Sequence, residues 1–344
     1  MRYLIRFGCA ITLLVVCLVS GSLTRAHDYP RIVLVETMEV PVVLEHAKWF
    51  LKEMEALGYV EGQSAEIVYI KADGNLDLAI ERLQAADAEA RPDIVATFAT
   101  LASQAAWEVY GGSEVPIIFG VVADPVGAGI VEAVGEPSGT NITGLVYTLF
   151  RERKLEIAMK LARQVECGLP ITFGIISSDY PSTVGDARAF QELAATDENV
   201  EFLVRQFSYQ DMPDGLAGML VDTRSALAEL ESEVDFWWQS PGPLAEVGEF
   251  TQVILEQSEL PILYGNTLVA VESGALFTVS PDFEAGGREM ARLAHEVLQG
   301  HDVGEIPVVM PVAFNLGVNL STALELQIVV PPDILSLAGE NVYR

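Results

Sequence analysis

The sequence predicts an α/β protein built as two similar lobes in tandem, each a doubly wound, mostly parallel sheet, with a cleft between them. Three observations carry this. From Arg31 onward, short runs rich in β-branched residues alternate with amphipathic helical stretches, the order of a parallel sheet with crossover helices. The same alternation starts again after Arg151. The halves also echo in detail: Glu114-Val-Pro-Ile-Ile-Phe-Gly and Glu259-Leu-Pro-Ile-Leu-Tyr-Gly each place a Pro at the first residue of an apolar run.

Taken in order, the first segment stands apart. Arg2 and Arg6 precede an apolar run over 7–19 and a small-residue stretch ending at Ala26, the layout of a secretory signal peptide over 1–26. Thirteen residues rising about 1.5 Å each fall short of a hydrocarbon core of about 30 Å, so stable membrane insertion of the mature chain is not expected. Leu14-Val15-Val16 before Cys17 lack the small residues of a lipidation signal. Cleavage near His27 leaves Cys167 as the sole cysteine, which excludes an intrachain disulfide.

Strands are expected at 31–36, 65–70, 93–98, 116–121 and 143–146. Between the first two, 42–57 forms a helix whose apolar stripe includes Leu44, Ala47, Phe50, Leu51 and Met54, stopped by Gly58. A hinge falls near 146–150. The second half gives strands at 171–176, 200–206, 234–238, 261–264 and 275–279, then a long helix over 283–300 and a strand-like run over 308–318. The first lobe therefore comprises 27–147 with about 280–305, and the second 148–279 with about 306–344. In the second half Trp237 and Trp238 end a strand, so alternation sends them to opposite faces of the core.

Half of the 344 residues are hydrophobic and a fifth are charged, the balance of a well-cored globular chain. The formal net charge of −29 argues against nucleic acid and anionic membrane surfaces, which need clustered Lys and Arg. With only 5 Lys, the acidity reads equally as a soluble exported surface or as adaptation to high salt.

Catalytic signatures are missing. No G-x-S-x-G occurs, and His295-Glu296 has Gln299 where a zinc motif needs its second His. No G-x-x-x-x-G-K-[ST] loop is present, and Gly127-Ala-Gly129 continues to Glu132 where a dinucleotide fingerprint needs glycine. An enzyme, a metal and a cofactor are therefore not expected.

Parallel-sheet lobes put strand C-termini and helix N-termini on the cleft walls, so the junctions are the candidate ligand-binding positions. In the first lobe these are Thr100, Leu101, Ala102 and Ser103, which open a helix whose free N–H groups suit a carboxylate. Asp124 can meet a ligand ammonium or cap its own helix. In the second lobe they are Ser178, Asp179, Tyr180, Ser240 and Asn266, with Tyr180 placed to stack on a ligand.

These residues resemble a known family, the periplasmic substrate-binding proteins of ABC transporters in the group associated with tryptophan and tyrosine uptake. The resemblance spans 31–335. Its anchors are Glu39-Val-Pro41, Leu57-Gly-Tyr-Val-Glu-Gly62, Arg91-Pro-Asp-Ile94, Pro116-Ile-Ile-Phe119, Ala123-Asp-Pro-Val-Gly-Ala-Gly129, Asn141-Ile-Thr-Gly144, Gly286 with Arg288, Leu298-Gln-Gly300, and Asn319 with Ala323. It implies the type I periplasmic binding protein fold, with ligand contacts at Glu39, Thr100 to Ser103 and Asp124. This chain departs from the family pattern at Val40, at Leu101, at Ser178-Asp-Tyr-Pro-Ser182 and at Gln239-Ser-Pro-Gly242. The expected function is capture of a small polar organic ligand, amino acid or carboxylate-like, outside the cytoplasm and its delivery to an ABC permease. A ligand-sensing module acting on a separate membrane receptor or kinase is the alternative.

Overall fold

The computed structural model describes residues 29–149 and 151–344. The expected signal peptide and Cys17 lie outside them. The first half runs β1 (Arg31–Glu36), α1 (Pro41–Ala56), β2 (Glu66–Lys71), α2 (Leu76–Glu89), β3 (Ile94–Phe98), α3 (Thr100–Tyr110), β4 (Ile117–Val122) and β5 (Ile142–Val146). The second runs α4 (Arg151–Ala162), β6 (Ile171–Ser178), α5 (Pro181–Ala194), β7 (Val200–Phe207), α6 (Leu216–Leu230), β8 (Phe236–Trp238), α7 (Gly248–Gln257), β9 (Ile262–Tyr264), α8 (Leu268–Ser273) and β10 (Phe277–Pro281). Then follow α9 (Phe283–Leu298), β11 (Phe314–Asn319), α10 (Leu320–Glu325), α11 (Pro332–Ala338) and β12 (Val342–Tyr343).

Two sheets result. The first has the order β2-β1-β3-β4-β5 and is parallel throughout. Its strands read as apolar runs because both faces are covered. Ile32 and Leu34 join Phe50, Met54 and Met290 on one side, while Val33 and Val35 join Leu83, Ala105 and Tyr110 on the other. Each fully buried aliphatic side chain of this kind contributes about 1.5–3 kcal/mol.

The second sheet has the order β12-β11-β10-β9-β8-β6-β7. Trp238 faces Phe173 and stacks on Tyr264 with centroids 4.3 Å apart, whereas Trp237 belongs to the opposite core with Ile176 and Ile262. Two strands break the parallel pattern: β11 runs antiparallel to β10, and β12 runs with β11. The run read as one strand over 308–318 is also divided. Val309 bridges Leu145 and Pro307 bridges Pro137 in the first lobe, and only Phe314–Asn319 pairs in the second sheet. Pro311 has no N–H to carry a ladder through the middle.

The chain consequently passes between the sheets three times, at 147–151, at 281–283 and at 310–313, because α9 returns to pack on α1 before β11 crosses again. The two lobes also touch at the rim. Asn75 Nδ2 donates to Asp211 Oδ2 at 2.6 Å, Tyr209 donates to the Gly74 carbonyl at 3.4 Å, and Arg188 lies 3.7 Å from Asp124.

Candidate functional site

The C-terminal ends of the strands converge on two adjoining cavities in the cleft. The first, about 30 Å³, is lined by Met38, Val40, Thr100 and Val121 from one lobe and by Tyr180, Ser182, Gly242 and Glu246 from the other. The second, about 280 Å³, lies toward the crossings and is lined by Trp49, Tyr147, Glu246, Asn266, Asp282 and Phe283, among others. An apolar cavity of about 150 Å³ accommodates a benzene ring, so the second has room for an aromatic side chain. Tyr147 and Glu246 belong to both walls.

Two wall residues hold unusual backbone. Ala99 has φ 130° and Val121 φ 58°, left-handed values that side chains with a Cβ rarely adopt. Such strain, of order 1–3 kcal/mol each, collects at sites where chain direction is dictated by function. Here it ends β3 and turns β4 at the cleft wall.

The expected residues divide. Thr100 and Tyr180 line the first cavity, where the two hydroxyls stand side by side and the Tyr180 oxygen accepts from the Leu101 N–H at 3.5 Å. Tyr180 is buried and meets Tyr209 edge-on at 5.0 Å rather than standing free in a loop. Burial pushes its phenol well above the usual range. Asn266 lines the second cavity.

The others are engaged elsewhere. Ala102 packs in the outer core of the first lobe. Ser103 is fully buried, bonded to Thr97 Oγ1 at 2.8 Å and to the Ala99 carbonyl at 2.9 Å. Ser178 is buried at the end of β6, and Ser240 is buried without lining either cavity. Asp179 accepts the Tyr209 N–H at 2.6 Å. Glu39 is a correction: its exposed side chain turns outward to pair with Lys71, which lowers its carboxyl pKa. Asp124 is a second: its Oδ1 caps the Gly127 N–H at 2.9 Å, and it lines a surface hollow with Arg151 and Leu193 instead of the cleft cavities.

Sequence reasoning passed over Tyr147 and Glu246. Tyr147 follows β5 directly. Its ring packs against His46 and Phe283, and its buried hydroxyl has no hydrogen-bond partner among the described residues. Beside it, His46 Nδ1 donates to the Val42 carbonyl at 2.7 Å, and burial lowers its pKa to about 4, leaving a neutral imidazole at pH 7. Glu246 closes a 3-10 turn over Pro243–Glu246, and burial raises its pKa to about 8 although Asn266 Nδ2 donates to its Oε1 at 2.9 Å. Withdrawal from solvent with a single amide donor favours the protonated form of a carboxyl. Among the described residues no His, Cys, Asp and Glu cluster fits a metal ion, and no helix is long and apolar enough to cross a membrane.

Comparison with known proteins bears on the family and the fold. The chain is 23% identical over 322 residues to the tyrosine-binding protein of Clostridioides difficile strain R20291, covering 93% of this chain and 85% of the relative. The solved ABC domain from Streptococcus pneumonia in complex with L-Trp superposes with a TM-score of 0.76 at 20% identity, over 92% of this chain and all of that one. A conserved domain protein from Vibrio cholerae gives 0.75 at 22% identity over the same shares. The fold is that of the type I periplasmic binding proteins, two α/β lobes around a cleft. The family described as ABC transporter substrate binding protein matches residues 31–342, and the chain belongs to it.

Proposed function

We propose that this chain captures an amino acid with a large side chain in its inter-lobe cleft and hands it to an ABC permease. The observation that carries the reading is the pair of adjoining cavities walled by both lobes, apolar around Val40, Val121, Trp49 and Phe283, with a few convergent polar groups at Thr100, Tyr147, Tyr180, Glu246 and Asn266. The opening turn of α3 supplies N–H groups without helical partners, and Leu101 meets only the long contact from Tyr180, so a ligand carboxylate has donors there. The tyrosine- and tryptophan-binding relatives support an aromatic amino acid. Thr100, Tyr147, Tyr180, Glu246 and Asn266 are the contacts we assign, while Leu101 acts through its backbone.

In this reading residues 1–26 supply the export signal, the cleaved chain works in the periplasm or an equivalent extracytoplasmic space, and the lobes comprise 27–147 with about 280–310 and 148–279 with about 313–344. Its action on the ligand is binding and release. A thermal-shift screen of the chain from His27 against the common amino acids, sugars and carboxylates tests this. An aromatic amino acid at about 100 times its Kd should add about 2.7 kcal/mol to apparent stability and raise Tm by several degrees. A shift produced by sugars alone would reject the assignment.

A further inference from the structure

Glu246 stands where the two cavities meet, and its surroundings are arranged to aim it. Thr251 Oγ1 accepts from Gln239 Nε2 at 3.0 Å, Gln239 Oε1 accepts from the Asn266 N–H at 3.2 Å, and Asn266 Nδ2 donates to Glu246 at 2.9 Å. Thr251, Gln239 and Asn266 are all buried. This relay fixes one carboxyl oxygen from α7 and the loops after β8 and β9 at once, and among the described residues Asn266 is the hydrogen-bond partner the carboxyl has.

No cation answers it. Across the first cavity stand the hydroxyls of Thr100 and Ser182. Toward the second are the Tyr147 phenol, held neutral by burial, and behind it the neutral His46 ring. From α9, Asp282 accepts from the Ala285 N–H at 2.8 Å and from Asn315 at 3.3 Å, and Glu284 is held by Arg288 at 2.8 Å. The nearby cations are committed elsewhere: Arg288 to Glu284 and Glu53, Lys52 to the face of Trp49 at 4.1 Å, and the buried Lys154 of α4 to the face of Tyr264 at 5.2 Å. Among the described residues lining the two cavities there is thus no positive charge: they present the Glu246 carboxyl held by Asn266, Asp282 bonded to neutral donors, Glu284 paired with Arg288, and one unpartnered phenol.

We infer that Glu246 is the specificity-determining residue of the cleft, selecting ligands that bear a primary ammonium and releasing its own proton to solvent as that ammonium arrives. The inference rests on the amino-acid reading above and names the group that recognises the ammonium. The exchange balances. A neutral carboxyl and an R-NH3+ become a carboxylate and R-NH3+ in contact, with one H+ passed to the buffer. The Tyr147 hydroxyl, which can donate or accept, has its first partner in the same ligand group or in the carboxyl it ionises. Burial raises the pKa of the free carboxyl to about 8, which favours a proton there at pH 7 and its release when a cation arrives. The sign is then fixed: affinity for an amine rises with pH up to about 8 and levels off above it, until the ligand ammonium itself deprotonates.

The test is calorimetric titration of L-tyrosine, L-tryptophan, tyramine and 3-(4-hydroxyphenyl)propionate into the wild type and Glu246→Gln, each at pH 7 in phosphate and in Tris. For amine-bearing probes the wild type should release close to one proton per ligand, read from the difference in enthalpy between buffers. Glu246→Gln should bind them at least 30-fold more weakly and release none, while 3-(4-hydroxyphenyl)propionate gains nothing from Glu246 in either protein. Amino acids that bind both proteins alike, or wild-type binding without proton release, would overturn the role of Glu246 and leave the amino-acid reading standing. Tyramine binding that depends on Glu246, with no binding of either amino acid, would reverse that outcome. A panel in which no amine binds rejects both. The proton count needs only the wild type, so it decides even where the variant folds poorly.

Discussion

Asp124 follows β4, where the sequence allows either a ligand contact or the cap of a helix; the structure has no helix between β4 and β5, and the carboxylate instead closes a turn by accepting from the Gly127 N–H. Replacing it by Ala removes the Gly127 bond and the loose rim contact to Arg188, which is mostly exposed. Stability should fall by about 1 kcal/mol, with amino-acid affinity changed less than twofold; melting curves beside titration calorimetry check it. An affinity loss of tenfold or more would return Asp124 to the site. At this scale the sequence marks junctions well and side-chain directions poorly. Thr100, Tyr180 and Asn266 reach the cavities, but Glu39 is drawn outward by Lys71, a residue 32 positions away whose partner no local pattern reveals. Glu246 was illegible for a related reason. A Glu between Pro243 and Gly248 reads as a solvated loop residue, and only the pairing of β8 with β9 brings Asn266 to it.

The elements themselves were far more legible, because both faces of a parallel sheet demand continuous apolar runs and the helices between them demand a 3.6-residue stripe. Ten expected strands lie within two residues of the observed starts. What escaped was β12, two residues long, and the antiparallel turn of β11, since strand direction depends on what the preceding crossing permits. The contact of α9 with α1 shows how an element's position rests on small residues. A Cβ at Gly287 would stand 2.5 Å from the His46 carbonyl oxygen and 2.9 Å from the Phe50 nitrogen, both backbone atoms that cannot swing aside. Gly287→Ala should therefore destabilise the protein by about 1–3 kcal/mol through overpacking, even though Ala favours an isolated helix by about 1 kcal/mol. Denaturant unfolding measures the sum, and an unchanged or raised midpoint would show that the two helices can part without cost.

On the scale of the whole molecule, two lobes meet at a cleft that Tyr180 of the second bridges by packing on the first lobe's core, and touch at its rim through few polar contacts, an arrangement compatible with opening and closing by a hinge. Small-angle scattering should show a smaller radius of gyration with saturating L-tyrosine or L-tryptophan than without. Identical profiles for a ligand that calorimetry shows to be bound would exclude closure. The tandem architecture was readable from the repeated order of strands and helices, whereas the path of the return crossing was not, because it depends on Pro307 and Val309 finding edges in the first lobe. That path has a mechanical meaning. Joined by one thread, two bodies swing, swivel and slide; joined by three threads side by side, they behave as a door on its knuckles, with a single axis left. In the proposed transport role, a membrane partner gripping one point on each leaf would read occupancy as one distance.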